Sequence, residues 1–198
     1  MSRDTKQRLL QQGLTSFKTK GFNHTGIQEV LQAVGVPKGS FYHYFKSKDD
    51  FGKQVVTFYA EEMMRITLAI FEDTQCTPLE RFRAFFAQGQ ERMSESGYSG
   101  GCFLGNMCQE MGDISVDFES LLENSMCALR KVFIQCIGNA QACGEVDRDA
   151  NAENLADFMI NSWQGALLRM KVAKSPAPLE TFREIVFSHV LTNKLQHA

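Results

Sequence analysis

The sequence predicts an all-α fold of about nine helices, with a three-helix head joined by a fourth helix to a five-helix body. Three observations carry that reading. Apolar residues recur at helical spacing nearly throughout, and no segment shows the β-branched alternation of a strand. Glycines, prolines and capping residues punctuate the chain at intervals of helical length. Charge is divided as well: residues 1–53 carry nine Lys/Arg against four Asp/Glu, and residues 54–198 carry twelve against nineteen. A basic head on an acidic body, hidden within a net charge of −2, points to an anion-binding N-terminal module.

The first helix is expected over about residues 3–20, with Leu10, Leu14 and Phe17 on one stripe and Gly21 just past its end. In "TGIQ" a capping box is expected, the Thr25 hydroxyl accepting an amide hydrogen bond while Gln28 reaches back, and this opens a short helix through Val34. Gly35 ends it, "VPK" turns the chain, and Pro37 suits the first turn of a third helix reaching about Phe45. Ser47 of "SKDD" is the expected N-cap of the fourth, where Asp49 and Asp50 favour the positive end of the helix dipole. That helix runs to about Phe71 and buries Phe51, Val55, Phe58 and Ile66. Further helices are expected at about 78–96, 102–112, 115–142, 152–173 and 178–195, separated by "SGYSGG", "GD", "GEVDRD" and "KSPAP". The expected division is residues 1–50 and residues 51–198.

Composition narrows the class. The chain has 198 residues, 43% of them hydrophobic and 22% charged, which is ordinary for a globular protein with a buried core. No apolar stretch approaches the roughly 20 residues of a membrane helix, and the start "MSRDTKQRLL" is too polar for a signal peptide. The expected location is the cytoplasm, away from membranes. There the cysteines at 76, 102, 108, 127, 136 and 143 stay reduced, and no CxxC or Cys/His cluster has metal-ligand spacing. Neither a metal nor a cofactor is expected.

The head has the pattern of a helix-turn-helix: two short helices, a glycine-bearing turn and a longer first helix. In "PKGSFYHYF", Phe41 and Phe45 share the buried face, which turns Lys38, Ser40, Tyr42 and His43 outward or sideways. Such a face suits a major groove. Gly39 lets the backbone come close to DNA, Lys38 reaches a base edge or phosphate, and the Tyr42 hydroxyl and His43 imidazole bind phosphates. Thr25 and Lys48 lie at helix starts, where free amides attract phosphate. Tyr44 completes the expected DNA-contacting set.

These residues carry a resemblance. The stretch "TGIQEVLQAVGVPKGSFYHYFKSKDDF" closely resembles the DNA-binding signature of the tetracycline-repressor (TetR) family of bacterial transcription regulators, over about residues 5–52. The resemblance implies an all-α homodimer whose two heads read a palindromic operator, and which represses until an inducer binds its body. It implies DNA contact by Lys38, Gly39, Ser40, Tyr42, His43 and Lys48, and a subunit contact made by the last two helices of each chain as a four-helix bundle. Phe158, Ser162, Gly165, Ala166 and Phe182 are the expected interface residues, with Arg169 on the same stripe. Helix four, shared by head and body, is the expected lever between inducer and DNA.

Two kinds of inducer are open. An apolar small molecule would use aromatic and methionine side chains of the body, with Phe86, Phe103, Met107 and Trp163 as the expected pocket; Trp163 alternatively belongs to the subunit contact. An electrophile or oxidant would use Cys102, because a thiolate at a helix N-terminus is stabilised by the dipole and free amides. "SGGCFLGNMCQEMGD" together with "QGALLRMKVAKSPAPLE" resembles the TetR subgroup that includes the repressor of N-ethylmaleimide reductase. That resemblance implies a reactive Cys102 paired with Lys171, with Cys108 and Met107 as departures. The alternative for Cys102 is an inert thiol packed beneath its loop. Enzyme chemistry is not expected, since His24, His43, His189 and His197 all lie far from Cys102 in sequence.

Overall fold

A computed structural model describes residues 3–192. Among them are nine α-helices and no strand: α1 (Arg3–Lys20), α2 (Ile27–Val34), α3 (Lys38–Tyr44), α4 (Lys48–Phe71), α5 (Pro78–Glu95), α6 (Phe103–Met111), α7 (Val116–Ala142), α8 (Ala152–Ala173) and α9 (Ala177–Ile185). The expected ninth helix to residue 195 is shorter than that. It passes into a π-helical turn over Val186–Val190, and His197 lies outside the described residues.

The described residues pack as two compact units. Residues 3–63 pack with 103–125, and residues 64–102 pack with 126–192. Helices α4 and α7 therefore each belong to both units, and the chain passes from one unit to the other between Cys102 and Phe103.

The core of the first unit follows the expected stripes. Leu10, Leu14 and Phe17 of α1, Val30, Leu31 and Val34 of α2, Phe41 of α3, and Phe51 and Val55 of α4 are all buried in it. Phe17, Phe41 and Phe45 each meet the Phe51 ring with centroids 4.8–5.7 Å apart, the edge-on spacing aromatic pairs prefer. To this core α6 adds Phe103, Met107 and Met111, which recur every four residues and present one buried face. Phe58 and Ile66 of α4 are only half-buried, a correction to the expected stripe.

Local capping chemistry both follows and departs from expectation. The Ser47 hydroxyl accepts from the Asp50 amide at 3.0 Å, as expected for an N-cap. Gly35 closes α2 in the left-handed region at φ 71°. Thr25, however, forms no capping box: α2 starts at Ile27 after Gly26, without a side-chain cap. Thr25 is buried, and its hydroxyl donates to the Gly21 carbonyl at 2.7 Å. A true capping box stands at Thr77 and Glu80 at the head of α5.

The second unit is built around phenylalanines. Phe71, Phe82, Phe85, Phe86 and Phe133 form a contiguous cluster with Met159, Met170 and Phe182. Arg130 of α7 ties α8 by donating to Asp157 at 2.6 and 3.0 Å and to Glu153 at 3.3 Å.

Candidate DNA interface and sensor loop

In the first unit, α2, the Gly35 turn and α3 form the helix-turn-helix. The apolar residues of α3 face inward, and Lys38, Gly39, Tyr42 and His43 are exposed, Tyr42 by 53%. A side chain at Gly39 would meet no atom of this chain. Tyr44 is half-buried and stacks edge-on with His43 at 4.8 Å. Ser40 is buried, which corrects the expectation that it turns outward or sideways; its amide donates to the Pro37 carbonyl at 2.9 Å. The amide of Thr25 is likewise committed, to the Phe22 carbonyl at 3.2 Å. Both donors of Thr25, amide and hydroxyl, are thus bonded within its own turn. The side chain of Lys48 is drawn back: its ammonium donates to the Asn23 carbonyl at 3.1 Å and sits 4.8 Å from the centre of the Phe22 ring.

The second unit holds Cys102 at the end of an unusual loop. Gly97, Tyr98, Gly100 and Gly101 all have positive φ, between 56° and 77°. Three of these four positions are glycine, the residue that takes this region without a Cβ clash, and Tyr98 bears the strain. The loop lies along one face of α8. Cys102 Sγ accepts from Gln164 Nε2 at 3.3 Å, Gly101 lies against the Leu167 carbonyl and the Lys171 side chain, and Lys174 Nζ donates to the Ser99 hydroxyl at 3.0 Å. Residues 164, 167, 171 and 174 are spaced by three and four, so one helical stripe carries the whole loop. Gln164, Lys174 and Ser99 were not among the expected sensing residues. Gln164 was legible as the residue two turns before Lys171.

The other side of α8 faces a groove. Phe158, Ser162, Gly165, Ala166 and Arg169 of α8 line it with Phe182 and Ile185 of α9, enclosing about 360 Å³. All five expected interface residues thus lie on one surface. Phe158 and Ile185 are exposed, and a side chain at Gly165 would meet nothing within this chain.

The residues of the expected ligand pocket are divided between the two units. Phe86 and Trp163 line an enclosed cavity of the second unit with Phe85, Leu129, Phe133, Ile160 and Gln164, but its volume is only about 10 Å³. Phe103 and Met107 belong to the core of the first unit, Phe103 against Tyr59 at 5.1 Å. Both lie on the buried i, i+4 face of α6.

Two family models match the chain: "Bacterial regulatory proteins, tetR family" over residues 9–55, and "Tetracyclin repressor-like, C-terminal domain" over residues 78–186. The chain belongs to the TetR family. The transcriptional regulator AcuR of Cereibacter sphaeroides is 37% identical over 94% of this chain and 85% of its own length. The repressor DhaR of Mycobacterium sp. strain GP1 is 34% identical over 94% and 92%. The repressor NemR of Escherichia coli K12 is 29% identical over 89% of each chain. A crystal structure of E. coli NemR in its reduced form superposes with a TM-score of 0.85, covering 91% of this chain and 93% of that one.

As a TetR family member the chain is a DNA-binding transcriptional regulator and not an enzyme. The helix-turn-helix described above falls within the matched N-terminal region. The Cys102 loop and the α8–α9 groove fall within the matched C-terminal one. No helix of the described residues is long and apolar enough to cross a membrane. Among those residues no three His, Cys, Asp or Glu side chains gather where they would hold a metal ion.

Proposed function

We propose that the chain is a homodimeric cytoplasmic repressor that reads a palindromic operator and is released when an electrophile or oxidant modifies Cys102. DNA binding is assigned to residues 1–50, and sensing and dimerisation to residues 51–198. The observation that carries the reading is the Cys102 loop. A half-buried thiol at the start of α6 lies on the stripe of α8 that carries Gln164 and Lys171, while the opposite side of α8 lines the groove.

In the head, Lys38, Tyr42 and His43 supply exposed donors, with Tyr44 beside them. Gly39 permits the backbone of α3 to approach the DNA, since nothing within the chain requires a glycine there. Lys48 adds a cation at the start of α4. In the body, the apolar groove of α8 and α9 receives the same surface of a second copy about a two-fold axis, with Gly165 allowing close approach. Two recognition helices at a fixed separation then enter successive major grooves.

Release follows from chemistry at sulfur. With an activated alkene, the Cys102 thiolate adds to the β-carbon, and the α-carbon takes a proton; no group leaves. With a peroxide, the thiol becomes a sulfenic acid as the peroxide is reduced to an alcohol or water. Condensation with the Lys171 amine then expels water and forms a sulfur–nitrogen bond. Either change bulks or tethers the loop against α8, and the chain passes directly from Cys102 into α6. Inducer need only favour the non-binding arrangement by a few kcal/mol to change occupancy by about 10- to 100-fold.

Footprinting on the DNA upstream of the chain's own gene should show a palindromic site protected by wild type and by Cys102→Ser alike. N-ethylmaleimide should clear the wild-type footprint and leave that of Cys102→Ser. A variant that remains fully inducible would contradict the proposal.

A further inference from the structure

We propose that Glu110, at the C-terminal end of α6, is a positioning residue for operator binding: it holds the α1–α2 turn and, through that turn, Lys48. The turn between Lys20 and Ile27 has its polar groups fixed from three directions. The Thr25 hydroxyl closes it from within by donating to the Gly21 carbonyl at 2.7 Å. The Asn23 amide donates to Glu110 Oε2 at 3.1 Å, across 87 residues of sequence. The Asn23 carbonyl accepts from Lys48 Nζ at 3.1 Å. Asn23 is thus gripped by α6 on its amide side and by α4 on its carbonyl side.

Gly21 lies close to the same carboxylate. Its φ is +85°, and a Cβ there would stand 2.7 Å from Glu110 Oε1, so the carboxylate occupies the space a side chain would need. Lys48 also responds to the arrangement. Burial draws its ammonium below the usual lysine value, and Asp49 and Glu110 pull in the opposite direction. Electrostatics alone give Glu110 the wrong sign for a DNA-binding unit, because a carboxylate near the head repels phosphate. Its contribution to binding is therefore geometric, and removing it separates geometry from charge. α6 begins one residue after Cys102, and a shift of its last turn by an ångström or two is enough to break the hydrogen bond to Asn23. The same junction would register displacement of α6 by any inducer, covalent or not.

The proposal rests on Lys48 as a DNA contact, and a double-mutant cycle separates the two claims. The full-length dimer would be titrated onto a duplex selected from a random library with the wild-type protein, at several salt concentrations. Glu110→Ala and Lys48→Ala should each weaken binding by about tenfold, the scale of one charge-assisted hydrogen bond. The double variant should bind no more weakly than the weaker single one. Each should lower the slope of log Kd against log salt by about one. Glu110→Gln, which keeps an acceptor for the Asn23 amide, should recover part of the affinity. Wild-type or tighter binding by Glu110→Ala, or losses that multiply in the double variant, overturns the positioning role. An unaffected Lys48→Ala overturns the Lys48 assignment on which it rests. If the alanine variant fails to fold by circular dichroism, the cycle of Glu110→Gln with Lys48→Ala carries the same test.

Discussion

At the scale of single residues, burial and partners separate the six cysteines. Burial pushes the Cys136 thiol up to about 12, and the hydrogen bond to the Asp73 carboxylate raises that of Cys76. A thiol is nucleophilic only as its thiolate, so iodoacetamide at pH 8 should label Cys102 well before Cys136, as peptide mass mapping would show; the reverse order would remove Cys102 from the sensing role. Gly39→Ala should leave the free energy of unfolding within about 0.5 kcal/mol of wild type, because the added methyl meets nothing, yet it should weaken operator binding. Asp157 gives a prediction in pH. Arg130 holds its carboxyl below the usual aspartate range, so the pair stabilises the fold above the unfolded-state value of about 3.9 and ceases to do so as pH falls through the folded value. Asp157→Asn should flatten that acid limb of a stability–pH profile, by a small amount because the pair is exposed. Residue-level reading of the sequence did well where periodicity decides, as for Phe41 and Phe45. It failed at Thr25 and Ser40, because a hydroxyl's partner depends on which carbonyl the folded turn brings near, and spacing does not carry that information.

At the scale of elements, punctuation located the helices to within a residue or two, since Gly35, Ser47, Pro78 and the "SGYSGG" loop act locally. The last helix was overextended because its apolar spacing continues through the π-helical turn at Val186–Val190. The Thr77 capping box was legible in "TPLE", which has the Ser/Thr-x-x-Glu signature. Thr77→Ala should cost about 1 kcal/mol in denaturant unfolding, because the Glu80 amide loses its acceptor. The division of labour around α8 was only half legible. The 158, 162, 165, 169 stripe was visible as an aromatic and two small residues at helical spacing, with Arg169 at its end. The opposite stripe of Gln164, Leu167, Lys171 and Lys174 acquires its meaning from a loop more than sixty residues upstream, a tertiary relation no local pattern encodes.

At the scale of the whole molecule, the fold class and the helix-turn-helix were legible because both rest on local pattern, whereas the two packing units were not. Residues 103–125 pack with the head through contacts far apart in sequence, so the chain crosses between units after Met63, after Cys102 and after Ser125. That placement gives the loop its proposed meaning, since a reaction at its last residue adjoins the element that carries Glu110. The groove makes a separate prediction: Gly165→Leu should yield a folded monomer by sedimentation, with operator affinity lost because paired recognition helices are required. The central claim is that Cys102 receives the signal. The most direct measurement titrates N-ethylmaleimide into the operator-bound protein, following DNA release by anisotropy and alkylation of each cysteine by mass spectrometry in the same samples. The account predicts that release tracks modification of Cys102. Full modification of Cys102 with DNA still bound, or release that follows another cysteine, would contradict it.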